Sequence, residues 1–142
     1  MNWHKQAQSW TKGDGNCMKT SADLMLKIKH ELFKDDSIKV SGEPFLVHAL
    51  VYGRGIAQGH RFPHAWVEAD GMVYDYSSGA SRQIPSELYY ILGGVEKDNP
   101  GAYRRYSFEE MRKKLLSQKT YGPWDLDESL QEKPAGKKGK NK

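Results

Sequence analysis

Hydrophobic and polar positions alternate through Pro63-His-Ala-Trp-Val-Glu-Ala-Asp-Gly-Met-Val-Tyr-Asp-Tyr76, on both sides of an Asp70-Gly71 pair. Asp-Gly between two alternating runs is the strongest short-range signal for a β-hairpin. A two-residue turn there sets Ala69 opposite Met72 and Trp66 opposite Asp75. Successive strand side chains point to opposite faces, so Ala65, Val67, Ala69, Met72, Tyr74 and Tyr76 share a core face. His64, Trp66, Glu68, Val73, Asp75 and Ser77 share the other. Asp75 is then diagonal to His64 at ~7–8 Å between backbones, within reach of an imidazole–carboxylate hydrogen bond.

The same alternation predicts a strand over Pro44–Gly53, apolar on both faces and therefore central, with His48 inside the core. Ile38–Val40 predicts a short strand, Arg54–Gly59 a glycine-flanked loop, and Ser77–Ala80 the end of the sheet region. The period changes upstream, where Met18, Ala22, Met25, Ile28 and Leu32 step by three and four, the stripe of an amphipathic helix, with Leu26 and Phe33 widening it. Asp14 and Asn16 are good N-cap types, which places Cys17 in the first turn of that helix. Downstream, Pro85 opens a short helix that Gly93-Gly94 stop, and residues 93–105 read as a loop. Ser107-Phe-Glu-Glu110 is a capping box ahead of a helix with Phe108, Met111 and Leu115 on its apolar side. Tyr121-Gly-Pro-Trp124 returns an aromatic to the body, and Trp3 and Trp10 anchor the N-terminal stretch. Helix, antiparallel strands, then helices predict an α+β fold.

Composition narrows this picture. The chain has 142 residues, 37% hydrophobic and 28% charged, enough for one domain with a core of its own, taken as residues 1–131. The net charge of +4 comes from the end of the chain, the tail 132–142. Residues 133–142 of it hold five lysines and no acid, and taking them from 22 basic residues leaves 17 against 18 acidic ones. That Lys-, Gly- and Pro-rich tail reads as disordered. It is the one place where nucleic acid or an acidic partner would bind, since the body is close to neutral. No apolar run approaches a membrane span, and the first residues carry no signal-peptide core. A single cysteine, Cys17, forms no internal disulfide, which fits a reducing cytoplasm.

Cys17, His64 and Asp75 together carry the chemistry. A helix N-terminus and a neighbouring imidazolium both favour a thiolate. His64 is placed to act as the base, and Asp75 to fix its orientation. The Cys17 backbone N–H is a donor for a developing oxyanion, with Asn16, Gln8 and Gln6 as candidates for a second. His60 and His64 have an H-x3-H spacing, but Pro63 and the strand alternation take it off a helix, so no metal site is expected. His60 and Asp14 are instead placed around the cleft, with Trp66 as the floor under the imidazole and a substrate neighbour.

Cys17 at a helix start, His64-Ala-Trp-Val-Glu on a strand and Asp75 on the next, followed by Tyr-Ser-Ser, resembles the transglutaminase-like branch of the papain-like cysteine enzymes. The resemblance covers residues 13–78. It implies a small papain-like fold and Cys17 as nucleophile, His64 as base and Asp75 as orienter. Asp14-Gly-Asn-Cys17-Met also resembles, as a local motif, the nucleophile segment of the ovarian-tumour-type deubiquitinases. Both imply a cofactor-free cysteine hydrolase or acyltransferase acting on amide or isopeptide bonds of a protein or peptide through a thioester. The competing class is a non-catalytic binding module on the same fold, with the basic tail contacting nucleic acid or an acidic partner.

Overall fold

The Asp70-Gly71 turn forms as its sequence requires: both residues have positive φ, 51° and 77°, the signature of a type I′ turn. In this computed structural model, residues 16–30, 40, 42–52, 61–75 and 82–130 are described. The turn joins β2 (Arg61–Ala69) to β3 (Met72–Asp75), with Ala69 opposite Met72, Glu68 opposite Val73 and Val67 opposite Tyr74. Gly71→Ala puts a Cβ at left-handed φ and is expected to lower stability by about 1–2 kcal/mol. Asp70→Asn is expected to shift it by less than ~0.5 kcal/mol, since Asn tolerates that region. Chemical denaturation of the two variants checks both values.

The sheet has five antiparallel strands. β1 (Phe45–Tyr52) pairs with β2 on one side and with β5 (Tyr103–Tyr106) on the other, while β4 (Arg82–Pro85) covers the far side of β3. The strand order is β4-β3-β2-β1-β5. β1 is interior, as its doubly apolar pattern predicts, and His48 on it is fully buried.

Two strands depart from the sequence reading. The sheet does not close after β3, because Arg82-Gln-Ile-Pro85 adds a further strand. Nor is 93–105 wholly a loop, because Tyr103-Arg-Arg-Tyr106 pairs with β1. Both are four-residue edge strands with little alternation. In β5, Arg104 and Arg105 are exposed, a usual composition for a strand that must not recruit another. Pro85 ends β4 and sits at the N-cap of α2 (Ser86–Gly93), one residue ahead of the first helical position. Gly94 closes that helix in the left-handed conformation.

Helices cover both faces. On the first face α1 (Asn16–Lys29) and α3 (Phe108–Gln118) bury Met18, Ala22, Met25, Met111 and Leu115 against Leu46, Ala65, Val67 and Tyr74. Leu24, outside the predicted stripe, is buried as well. The predicted capping box is present: Ser107 Oγ accepts from the Glu110 N–H, and the Glu110 side chain accepts from the Ser107 N–H. Tyr121 is fully buried, and Trp124 packs on His48 and Tyr106. On the second face Val47, Ala49, Val51, Trp66 and Val73 form another core with Tyr89 and Tyr90 of α2. The α+β class is therefore realised as helix, sheet, helix layers, and the face carrying His64 is a second core. No helix among the described residues is long and apolar enough to cross a membrane. Trp3, Trp10, Leu32, Phe33, Gly53–Gly59, Ser77–Ala80 and the 132–142 tail lie outside the described residues. Of Ile38–Val40 only Val40 is described, packed on the first core and not in a strand.

Candidate active site

Side-chain parity brings His64, Trp66, Glu68, Val73 and Asp75 to one face, as the hairpin register requires. Along β2, Ala65–Ala69 is buried and Phe62–His64 only half-buried, so the imidazole stands where the strand emerges from the core. β3 pairs with β2 only from Val67 to Ala69. Asp75 lies just past that pairing and turns back to His64: Nε2 and Asp75 Oδ2 are 2.9 Å apart. Their side chains are 17% and 9% exposed, so little water competes for the bond.

Cys17 comes from the other layer. It is half-buried in the first turn of α1 and packs at the margin of the first core. Its thiol is nevertheless close enough to the His64 ring to favour the protonated imidazole. With Nε2 engaged by Asp75, Nδ1 is the nitrogen left to the sulfur. The two faces of the sheet thus meet at the half-open end of β2, where β3 no longer pairs. Burial alone would push the His64 pKa down. The hydrogen bonds and negative charges of Asp75 and Cys17 outweigh it and hold the imidazole up at about 9. A ring that remains an imidazolium at neutral pH can give its proton to a group beside it. The Cys17 backbone N–H is one of the four at the helix start with no intrahelical acceptor.

The remaining sequence-predicted positions divide. Trp66 is fully buried. Its Nε1 donates to Glu68 Oε1 at 2.9 Å, and its ring lies 6.0 Å from the His64 ring. It packs beside the imidazole with no surface of its own exposed. Asp14, His60, Gln6 and Gln8 lie outside the described residues, as does the side chain of Asn16.

Three residues important to this arrangement carried no role in the sequence reading. The Tyr89 hydroxyl donates to Asp75 Oδ2, the same oxygen that holds His64. Tyr90 donates to Glu68, its single proton shared between Oε1 at 2.6 Å and Oε2 at 2.5 Å. Burial and that carboxylate both push the Tyr90 phenol up, so it stays a donor. Glu68 itself was the available signal: a carboxylate on the inner face of a hairpin strand, 8% exposed, demands donors from the layer above it. Adjacent tyrosines in the next helix supply one of them.

Comparisons of the chain with protein-family models, with curated proteins and with solved structures give no match. The functional reading therefore rests on the geometry of the site.

Proposed function

We propose that this protein is a papain-like, transglutaminase-like cysteine hydrolase or acyltransferase, working on an amide or isopeptide bond of a protein or peptide. The observation that carries the reading is the Asp75–His64 hydrogen bond, with Cys17 at a helix start near enough to influence the same imidazole. In this scheme the Cys17 thiolate attacks the acyl carbon and forms the C–S bond. The oxyanion is held by the Cys17 N–H, and the leaving amine takes its proton from the His64 imidazolium as the C–N bond breaks. Water, or an incoming amine, then gives a proton to His64 and attacks the thioester. The C–S bond breaks and the thiolate returns. Asp75 keeps the ring oriented and stabilises its charged form throughout.

An activated ester tests this without knowledge of the natural substrate. p-Nitrophenyl acetate at pH 7 is expected to release a burst of p-nitrophenolate stoichiometric with the chain, leave an acetyl group on Cys17, and then turn over. Cys17→Ser should abolish the burst, and His64→Ala should slow it on the order of 10²-fold or more. Equal acylation rates in the wild type and His64→Ala would reduce Cys17 to an ordinary thiol and leave the binding-module reading.

A further inference from the structure

Tyr89 stands in the layer opposite Cys17, yet it is bonded to the same line of groups. It lies on the inner side of α2, where its ring packs edge-on to Trp66 with centroids 4.9 Å apart. Its hydroxyl donates to the Asp75 oxygen that also accepts from His64 Nε2. Two donors converging on one carboxylate oxygen restrict its rotation and share its charge. The phenol is fixed in turn, because Trp66 beneath it is fixed by Glu68, and Glu68 by Tyr90 in the same helix. α2 therefore grips both carboxylates of this face through successive residues.

We infer that Tyr89 is a positioning residue that acts through Asp75, setting how the carboxylate is aimed at His64 and how strongly it holds the imidazolium. The catalytic part of this inference rests on the function proposed above. The positional part does not. Among the described residues, the titratable groups facing His64 are Cys17 from α1 and Asp75 from β3, with Tyr89 of α2 behind Asp75. Glu68, on the same strand as His64, is turned to Trp66 and Tyr90.

The test is the titration midpoint of His64 in the full chain, followed by the NMR signal of its Cε1 proton and assigned by its loss in His64→Ala. Tyr89→Phe keeps the ring on Trp66 and removes only the hydroxyl. It leaves Asp75 Oδ2 to the imidazolium, and the midpoint is expected to rise by roughly half a pH unit. A displacement of either sign that disappears when Tyr89→Phe is made in an Asp75→Asn background carries the proposal. Tyr90→Phe, which loses a hydroxyl bonded to Glu68, should leave the midpoint in place. No displacement in Tyr89→Phe, the same displacement in both backgrounds, or an equal one in Tyr90→Phe overturns it. None of these readouts uses the ester reaction, so failure of the proposed function leaves the inference standing or falling by itself. If both hold, Tyr89→Phe also changes the pH profile of Cys17 acylation, and again only while Asp75 is present.

Discussion

Asp75→Asn will leave the hairpin folded and slow Cys17 acylation at pH 7 on the order of 10²–10⁴-fold. The amide is nearly isosteric and keeps an oxygen for either donor, Tyr89 or His64, so the register of β2 and β3 has no cause to change. What disappears is the charge. Burial is the largest influence on His64 and acts to lower its pKa, while Asp75 is one of the two groups that reverse it. With the carboxylate neutralised, one of the two groups opposing burial is gone and the His64 pKa falls. In the proposed reaction the thiolate then loses its counter-ion and the leaving group its acid. Iodoacetamide labelling of Cys17 between pH 5 and pH 9 measures the first loss, and the ester burst measures the second. Asp70→Asn, in the turn and remote from the imidazole, serves as the control. If Asp70→Asn slows labelling as much as Asp75→Asn does, the electrostatic account of the site is wrong.

The sequence displayed this hairpin unusually well because two independent signals agreed there. Alternation fixed which side chains share a face, and Asp70-Gly71 fixed the register, so His64 and Asp75 fell together before any long-range contact was known. Cys17 was legible for a different reason, since the stripe from Met18 to Ile28 dictated a helix and hence its first turn. The actual meeting of Cys17 with His64 was not legible. It depends on β3 ceasing to pair after Val67–Tyr74, which lets groups from opposite faces approach round the strand. The edge strands were hidden because Arg82–Pro85 and Tyr103–Tyr106 are too short and too polar to show a period. They form because β3 and β1 offer unpaired edges. The tyrosines of α2 were hidden because a helical stripe identifies an inner face without saying which group on the sheet needs a donor. That need was visible only in Glu68 and Asp75, one element earlier.

Two histidines shifted in opposite directions should give this protein a stability maximum near neutrality, and the acid side should carry the larger total loss. His48 is fully buried between Tyr106 and Trp124, and neither ring nitrogen has a hydrogen-bond partner among the described residues. Burial pushes its pKa down from 6.5 to about 3, with only partial relief from the charge of Asp125. A depressed histidine contributes stability that is present above pH 6.5. That stability is lost as the unfolded chain takes up a proton the folded one refuses, down to about pH 3. At about 1.4 kcal/mol per pH unit the whole window amounts to about 5 kcal/mol, comparable to the total stability of many domains. His64 has the opposite sign. Raised from 6.5 to about 9, it contributes fully below pH 6.5 and loses about 3 kcal/mol as pH climbs through 9. His48→Phe isolates the acid limb, because an apolar ring of similar size keeps the aromatic stack and removes two unpaired nitrogens. At pH 7 its stability should equal or exceed that of the wild type. At pH 4 it should be ahead by about 3 kcal/mol more than at pH 7, an extra Tm gain on the order of 10 °C. The difference between the two melting curves cancels the carboxylates, which titrate alike in both proteins. Parallel curves between pH 7 and pH 4 would show that His48 accepts a proton within the core, and that the acid limb belongs to other groups.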